Sequence, residues 1–167
     1  MRQIIGLMTL IASFFWLFPT EAGAGWIFLE TYQVKFKTPD DWQCESMDFD
    51  DRVQHSCGNA DWTLRFLLIT FNGKNKENQI IEWVSRLLGL SDWMKVQEIP
   101  DPNIQKRLFT ATGTLASISG KKRILVATQD KFGYILIFHG EGSWEKTTNG
   151  LKIFQDIVDT FSRHPTL

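Results

Sequence analysis

Two cysteines are the side chains whose type and spacing most directly indicate chemistry. Cys44 and Cys57 lie close together in the chain, and no other cysteine is present. An even count at this spacing predicts one disulfide in an oxidising compartment. A metal site would need a second Cys or His pair, and His55, His139 and His164 are scattered. Redox catalysis normally uses Cys-x-x-Cys, which is absent. The sequence therefore predicts a structural disulfide between Cys44 and Cys57 and no metal site.

Catalytic motifs are missing from the sequence. It has neither a Gly-x-Ser-x-Gly nucleophile elbow nor a His-Glu-x-x-His zinc motif. Residues 113–122 superficially resemble a phosphate-binding loop, but Leu115 stands where the first glycine belongs and Lys122 where the hydroxyl residue belongs. The acidic residues of 45–51 lack the glycine and terminal glutamate of an EF-hand. We predict no catalytic residue and no cofactor. A triad assembled from distant residues stays open, since chain order does not constrain it.

Two tryptophans in predicted loops are candidates for binding a partner protein. Trp93 follows Asp92 and Trp144 precedes Glu145, so each indole has a charged neighbour. An exposed indole of this kind is typical of interfaces, where a rigid ring buries a large area. The alternative is that both rings pack in the core.

The charge pattern argues against some partners. The formal net charge is -1, and nucleic acids or anionic membranes require a clustered basic excess. Lys121-Lys122-Arg123 is the densest basic run. Read as a hairpin turn, it predicts a solvated loop.

The first 24 residues read as a cleavable signal peptide. Arg2 precedes an apolar run from Ile4 to Phe18, and Ala22-Gly23-Ala24 offers a cleavage site. The run is shorter than the ~20 apolar residues of a spanning helix, which leaves a membrane anchor as the weaker alternative. We expect a periplasmic or secreted protein that begins near Gly25, with no stable membrane insertion after cleavage.

The remaining residues, 25–167, predict one α+β domain. Alternating apolar positions indicate strands over 32–37, 42–47, 53–59, 62–69, 94–98, 106–118, 123–129 and 134–139. Two stripes at helical spacing indicate amphipathic helices, one with Ile80, Ile81, Val84, Leu87 and Leu88, the other with Leu151, Phe154, Ile157, Val158 and Phe161. Turns are predicted at Ser119-Gly120 and 131–133, and a Gly-rich loop at 140–150. This order predicts an antiparallel sheet with two helices packed on it.

Two segments resemble the PsbP-like fold, which covers photosystem extrinsic proteins and many small exported bacterial proteins. One is Tyr-Gln-Val-Lys-Phe-Lys-Thr-Pro-Asp-Asp-Trp from Tyr32, which contains Pro39 and Trp42 in a P-x-x-W turn. The other is Phe-Gln-Asp-Ile-Val-Asp-Thr-Phe-Ser from Phe154, which ends in an aromatic residue followed by Ser162. The resemblance implies a non-catalytic binding or assembly domain, and no functional residue of the family has a counterpart here.

Three functions follow as hypotheses. The first is a small exported domain that binds another exported or envelope protein or scaffolds an envelope assembly. The second is a carrier of an apolar small molecule, held between the sheet and the helix over 80–88. The third is a hydrolase with an unrecognised site. A large internal cavity would favour the carrier, and a filled core with exposed Trp or Phe would favour the partner-binding domain.

Overall fold

The computed structural model describes residues 25–50, 52–72, 77–147 and 149–164. The signal peptide predicted over residues 1–24 lies outside the described residues. The strands are β1 (Trp26–Leu29), β2 (Val34–Lys37), β3 (Gln43–Asp48), β4 (Arg52–Gly58), β5 (Leu64–Asn72), β6 (Ser91–Ile99), β7 (Gln105–Leu115), β8 (Ile118–Gln129), β9 (Phe132–Gly140) and β10 (Ser162–Arg163). The helices are α1 (Glu77–Leu88), α2 (Trp144–Thr147) and α3 (Gly150–Thr160), and a 3₁₀ turn covers Glu30–Tyr32.

These strands form two antiparallel sheets. The larger has seven strands in the order β3-β4-β5-β9-β8-β7-β6, and the smaller has three in the order β1-β2-β10. The predicted antiparallel sheet with helices is therefore confirmed at the level of fold class. The second sheet was not predicted.

The large sheet is covered on both faces. One face packs against α3 and the small sheet, with Phe36, Phe66, Phe138, Phe154 and Phe161 in one buried cluster. The other face packs against α1, with Ile80 and Val84 among its buried residues. Every residue of β9 is buried, as expected of a central strand that has a layer on each side.

The helical stripes are largely confirmed. Phe154, Ile157, Val158 and Phe161 are buried, as predicted. Leu87 and Leu151 belong to the predicted apolar stripes, but both side chains are exposed. Each lies at the margin of its apolar stripe, where a helix already turns toward solvent.

The hairpin between β7 and β8 differs from the prediction. Its turn is Ala116–Ser117, both in the left-handed region with φ of 48° and 67°, whereas Ser119 and Gly120 pair within the ladder. The basic run at 121–123 therefore lies inside β8, and the expectation of a solvated loop is wrong. The Lys122 side chain is 0% exposed. The predicted loop at 140–150 likewise contains the short helix α2.

The predicted disulfide is confirmed. Cys44 and Cys57 stand directly opposite each other on β3 and β4, and their sulfurs are bonded.

None of the helices in the described part of the chain is long and apolar enough to cross a membrane.

Candidate functional site

The structure separates the two candidate tryptophans and buries one of them. Trp144 is 4% exposed, and its ring lies 5.3 Å from that of Phe138. The expectation of an exposed indole at Trp144 is wrong, because α2 turns the ring into the core over Gly140. A Cβ at Gly140 would lie 2.8 Å from the Trp144 side chain, so the glycine makes room for the indole.

Trp93 lies in β6 rather than in a loop. Its ring is 6.1 Å from that of Phe109, and Nε1 donates a hydrogen bond to the Leu90 carbonyl at 3.4 Å. The side chain is half-buried on the α1 face of the large sheet, whereas Trp144 lies on the opposite face. The two residues therefore do not form one surface.

Among the described residues, the most exposed pair of neighbouring aromatic side chains lies on β1. Trp26 is 44% exposed and Phe28 is 50% exposed, and their ring centroids are 6.2 Å apart. Alternation along the strand places Ile27 and Leu29 against the core and the two aromatics on the outer side. An aromatic pair exposed to this extent is unusual for a residue type that normally fills cores.

Two lysines flank this pair. In the ladder, Trp26 stands opposite Lys37 and Phe28 opposite Lys35, so these four side chains share the outer side of the small sheet. The Lys35 ammonium lies 5.4 Å from the Trp26 ring centroid, within range of a cation–π interaction. We call Trp26, Phe28, Lys35 and Lys37 the aromatic face. It combines an apolar centre with a basic rim.

The small sheet is fixed to the core through β2 and the end of α3. The Phe36 ring stacks on Phe161 at 5.6 Å and meets Phe66 edge-on at 5.7 Å. The Lys37 amide donates to Thr160 Oγ1 at 2.9 Å. These contacts hold β2, and therefore the aromatic face, in a fixed position on the large sheet.

A buried tyrosine adds a polar anchor to the small sheet. The Tyr134 hydroxyl donates a hydrogen bond to the Tyr32 carbonyl. Burial, and next the charge of Asp130, raise the pKa of the Tyr134 phenol above its ordinary value, so the phenol remains a donor throughout the physiological range.

A lysine caps the end of α3. Lys106 Nζ donates to the carbonyls of Phe161 and Val158 at 3.0 and 3.4 Å, and it forms an ion pair with Asp101 at 3.2 Å. A cation at a helix C-terminus stabilises the unpaired carbonyls there. This bond ties α3, and with it the small sheet, to β7.

Sequence reasoning missed the aromatic face because all four residues of β1 are apolar. Buried and exposed positions alternate along the strand, but the sequence shows no alternation of apolar and polar residues from which this could be predicted. The available signal was that two large aromatic residues follow closely after the predicted cleavage site.

A serine and a histidine meet on the β3–β4 hairpin. Ser46 Oγ and His55 Nδ1 are 2.7 Å apart, on residues that stand directly opposite each other. Burial lowers the pKa of His55, and the nearby charge of Asp48 acts in the opposite direction. His55 Nε2 is buried and has no hydrogen-bond partner among the described residues. The pair offers a nucleophile and a base, without a third group hydrogen-bonded to orient the ring.

The space proposed for an apolar ligand is occupied by side chains. Ile80, Val84 and Leu90 are buried between α1 and the large sheet. A pocket of about 730 Å³ near the start of α1 is lined by polar residues, among them Glu77, Asp101, Arg107 and Gln129. Neither feature favours a carrier of apolar molecules.

Comparison with known proteins informs the fold alone. No protein-family model matches the chain, and no curated protein matches it in sequence. Thirteen chains of solved structures do match. One is a crystal structure from Bacteroides thetaiotaomicron VPI-5482 at 1.50 Å resolution, with a TM-score of 0.54 and 12% sequence identity. The match covers 85% of this chain and 49% of that one, so this chain spans about half the length of the solved structure to which it is similar in fold.

Proposed function

We propose that this chain is an exported, non-catalytic domain of PsbP-like type that binds another exported or envelope protein through the aromatic face. One observation carries the proposal: Trp26 and Phe28 lie side by side on an edge strand and are about half exposed. Aromatic anchors at the centre of an apolar patch dominate the binding energy of many interfaces.

The exposed parts of these two rings are large enough to matter energetically. Covering about half of each ring removes roughly 200 Å² of apolar surface from water. At about 25 cal/mol per Å², this contributes roughly 5 kcal/mol before the entropic cost of association. Micromolar binding requires about 8 kcal/mol net, so the partner must also contact the rim.

The rim suggests the chemistry of the partner. Lys35 and Lys37 flank the rings, so the best complement is an apolar pocket or plug bordered by carboxylates. Two lysines are few for an anionic membrane, where each contributes only about 1 kcal/mol. A protein surface is therefore the occupant that we propose.

Export is supported by the disulfide, which is typical of oxidising compartments. We expect N-terminal sequencing of the protein isolated from the cell envelope or medium to begin at or near Gly25. Retention of Met1 in a membrane fraction would contradict the proposed processing and favour an anchor.

A double substitution tests the aromatic face. Trp26→Ser with Phe28→Ser should reduce co-isolation of the chemically cross-linked partner at least about tenfold, since both anchors are lost. The free energy of unfolding should change by no more than about 1 kcal/mol, because both rings are exposed. Leu151→Ser, which likewise replaces an exposed apolar side chain by serine and lies on α3, is the matched control and should retain the partner.

Two outcomes would overturn this proposal. Unchanged co-isolation of the double variant would exclude the aromatic face as the docking surface. Binding of the purified protein to phosphatidylglycerol vesicles, lost in the same double variant, would assign the face to a membrane instead.

A hydrolase remains the second candidate, favoured by the contact between Ser46 and His55. It predicts ester or amide turnover that disappears in Ser46→Ala and His55→Ala and persists in the Trp26/Phe28 double variant. Activity of this pattern would replace the non-catalytic proposal.

A further inference from the structure

Three basic side chains lie in a row across the centre of the large sheet. Arg65 on β5 stands directly opposite His139 on β9. Lys122 on β8 directly precedes Arg123, whose ladder partner Phe138 directly precedes His139. Lys122 and His139 are therefore neighbours across the β8–β9 ladder, on the face that also carries α1.

Two members of the row are deeply buried, and Arg65 is half-buried. Lys122 is 0% exposed and His139 is 1% exposed. Within the described residues, neither Lys122, His139 nor Arg65 forms an ion pair with a carboxylate. Lys122 Nζ donates to the Ile118 carbonyl at 2.9 Å. Burying the Lys122 ammonium and the His139 ring with one carbonyl acceptor, beside the Arg65 guanidinium, is energetically unfavourable.

Two nitrogen atoms of the row have no partner. His139 Nδ1 and Arg65 Nε are buried, and neither forms a hydrogen bond within the described part of the chain. Buried polar atoms of native proteins are nearly always paired, so such orphans mark a place where another group fits.

The pKa values of His139 and Lys122 are both lowered, as expected where basic groups lie close together in a buried position. Burial, and next the charges of Lys122 and Arg65, together lower the pKa of His139 to about 3. Burial, and next the charge of Arg65, also lower the pKa of Lys122. A negative charge beside the row would relieve both effects.

A pocket of about 330 Å³ opens onto this row. Arg65 and His139 lie at its polar end. Trp62, Leu67 and Leu115 supply an apolar wall. A volume of this size suits a small organic molecule.

The loop before β5 holds the Trp62 wall in place. Trp62 has φ of 58°, in the left-handed region, and its amide donates to the Asn59 carbonyl at 2.9 Å. Asn59 Oδ1 accepts from the Leu64 amide, also at 2.9 Å. A Cβ at Gly58 would lie 2.8 Å from the indole, so only glycine lets the ring lie against this strand. The unfavourable conformation of Trp62 is thus maintained by specific contacts.

We infer that this pocket binds a small monocarboxylate that carries an apolar group. The carboxylate meets Arg65 and the free Nδ1 of His139, and the apolar group lies against Trp62, Leu67 and Leu115. The Glu45 and Ser56 side chains also line the pocket. Glu45 is exposed, and its carboxylate repels a doubly charged phosphate more strongly than a singly charged ligand.

The test uses phenylacetate as the probe, added to the exported protein in isothermal titration calorimetry. Phenylacetate should bind, and its neutral isostere phenylacetamide should bind at least about tenfold more weakly, because the charge is the recognised feature. Acetate and inorganic phosphate should also bind at least about tenfold more weakly than phenylacetate. Acetate lacks the apolar group, and phosphate in addition carries the wrong charge. In a ¹⁵N spectrum of labelled protein, phenylacetate should shift the His139 Nδ1 resonance.

Variants separate the row from general charge effects. Arg65→Met should weaken phenylacetate binding at least about tenfold. Arg86→Met removes the same charge from an exposed ion pair on α1 and should bind like the unaltered protein. If Arg65→Met fails to fold, Lys122→Met serves instead: it should raise the melting temperature by a few degrees while weakening binding.

The inference is overturned by any of three results. The first is that phenylacetate does not bind even at about 20 mM, a concentration far above that of a useful affinity. The second is equal affinity for phenylacetate and phenylacetamide. The third is an unchanged affinity for phenylacetate in both Arg65→Met and Lys122→Met.

Discussion

Replacing Phe154 by alanine is expected to lower the free energy of unfolding by roughly 3–5 kcal/mol. Phe154 is a buried residue of α3, and its ring centroid lies 5.5 Å from that of Phe138 on the central strand β9. Truncation removes the apolar surface and leaves a cavity between the helix and the sheet, which the flanking strands cannot fill. Urea denaturation followed by tryptophan fluorescence measures the change.

Leu151→Ala is the matched control, since Leu151 lies on the same helix and is 39% exposed. It should change the free energy of unfolding by about 0.5 kcal/mol or less. An unchanged urea midpoint for Phe154→Ala would show that this face of α3 does not pack on the sheet in solution.

The second large effect concerns the disulfide. Replacing both Cys44 and Cys57 by serine should lower the free energy of unfolding by about 2–4 kcal/mol, because the closed loop no longer restricts the unfolded chain. The fold itself should persist, since the two large apolar clusters consist mostly of other side chains, and only the cluster on the α3 face includes the two cysteines. Thermal unfolding followed by far-UV circular dichroism, in the serine variant and in the unaltered protein, measures the loss of stability and shows whether the fold is retained.

Reduction of the unaltered protein provides the control for the serine substitutions. It should reproduce most of the same loss of stability. Intact mass after thiol alkylation should show no modified cysteine before reduction and two afterwards. Two freely alkylated cysteines in the native protein would contradict the disulfide.

The local pattern of the sequence was sufficient for several elements. The Cys44–Cys57 hairpin follows from spacing and compartment, and the apolar stripe of α3 has an unambiguous helical period. Such elements are predictable because each is defined by neighbouring residues, without reference to the rest of the fold.

Other features depend on packing that no local pattern records. Lys122 reads as part of a solvated basic turn, yet the turn falls at Ala116–Ser117 and places the lysine in a central strand. Trp144 reads as a loop residue, yet a short helix rotates it over Gly140. In both cases one turn or one helix, set by distant contacts, decides which side chain is buried.

The aromatic face was hidden for a related reason. In β1, Ile27 packs inward and Phe28 points outward, although both are apolar. Only the pairing of β1 with β2 determines which of them faces solvent. A partner that covers Phe28 would explain why a strand with one solvent-facing side carries no polar residue.

Site-specific photo-cross-linking in living cells is the decisive measurement for this surface. A benzoylphenylalanine residue at position 28 replaces one aromatic side chain by another, and the same residue at position 151 reports on an exposed site of α3. We expect one discrete cross-linked protein from position 28, absent from position 151 and lost when Lys35→Glu and Lys37→Glu reverse the rim charge. No cross-link from position 28, or the same pattern from both positions, would contradict partner binding through the aromatic face.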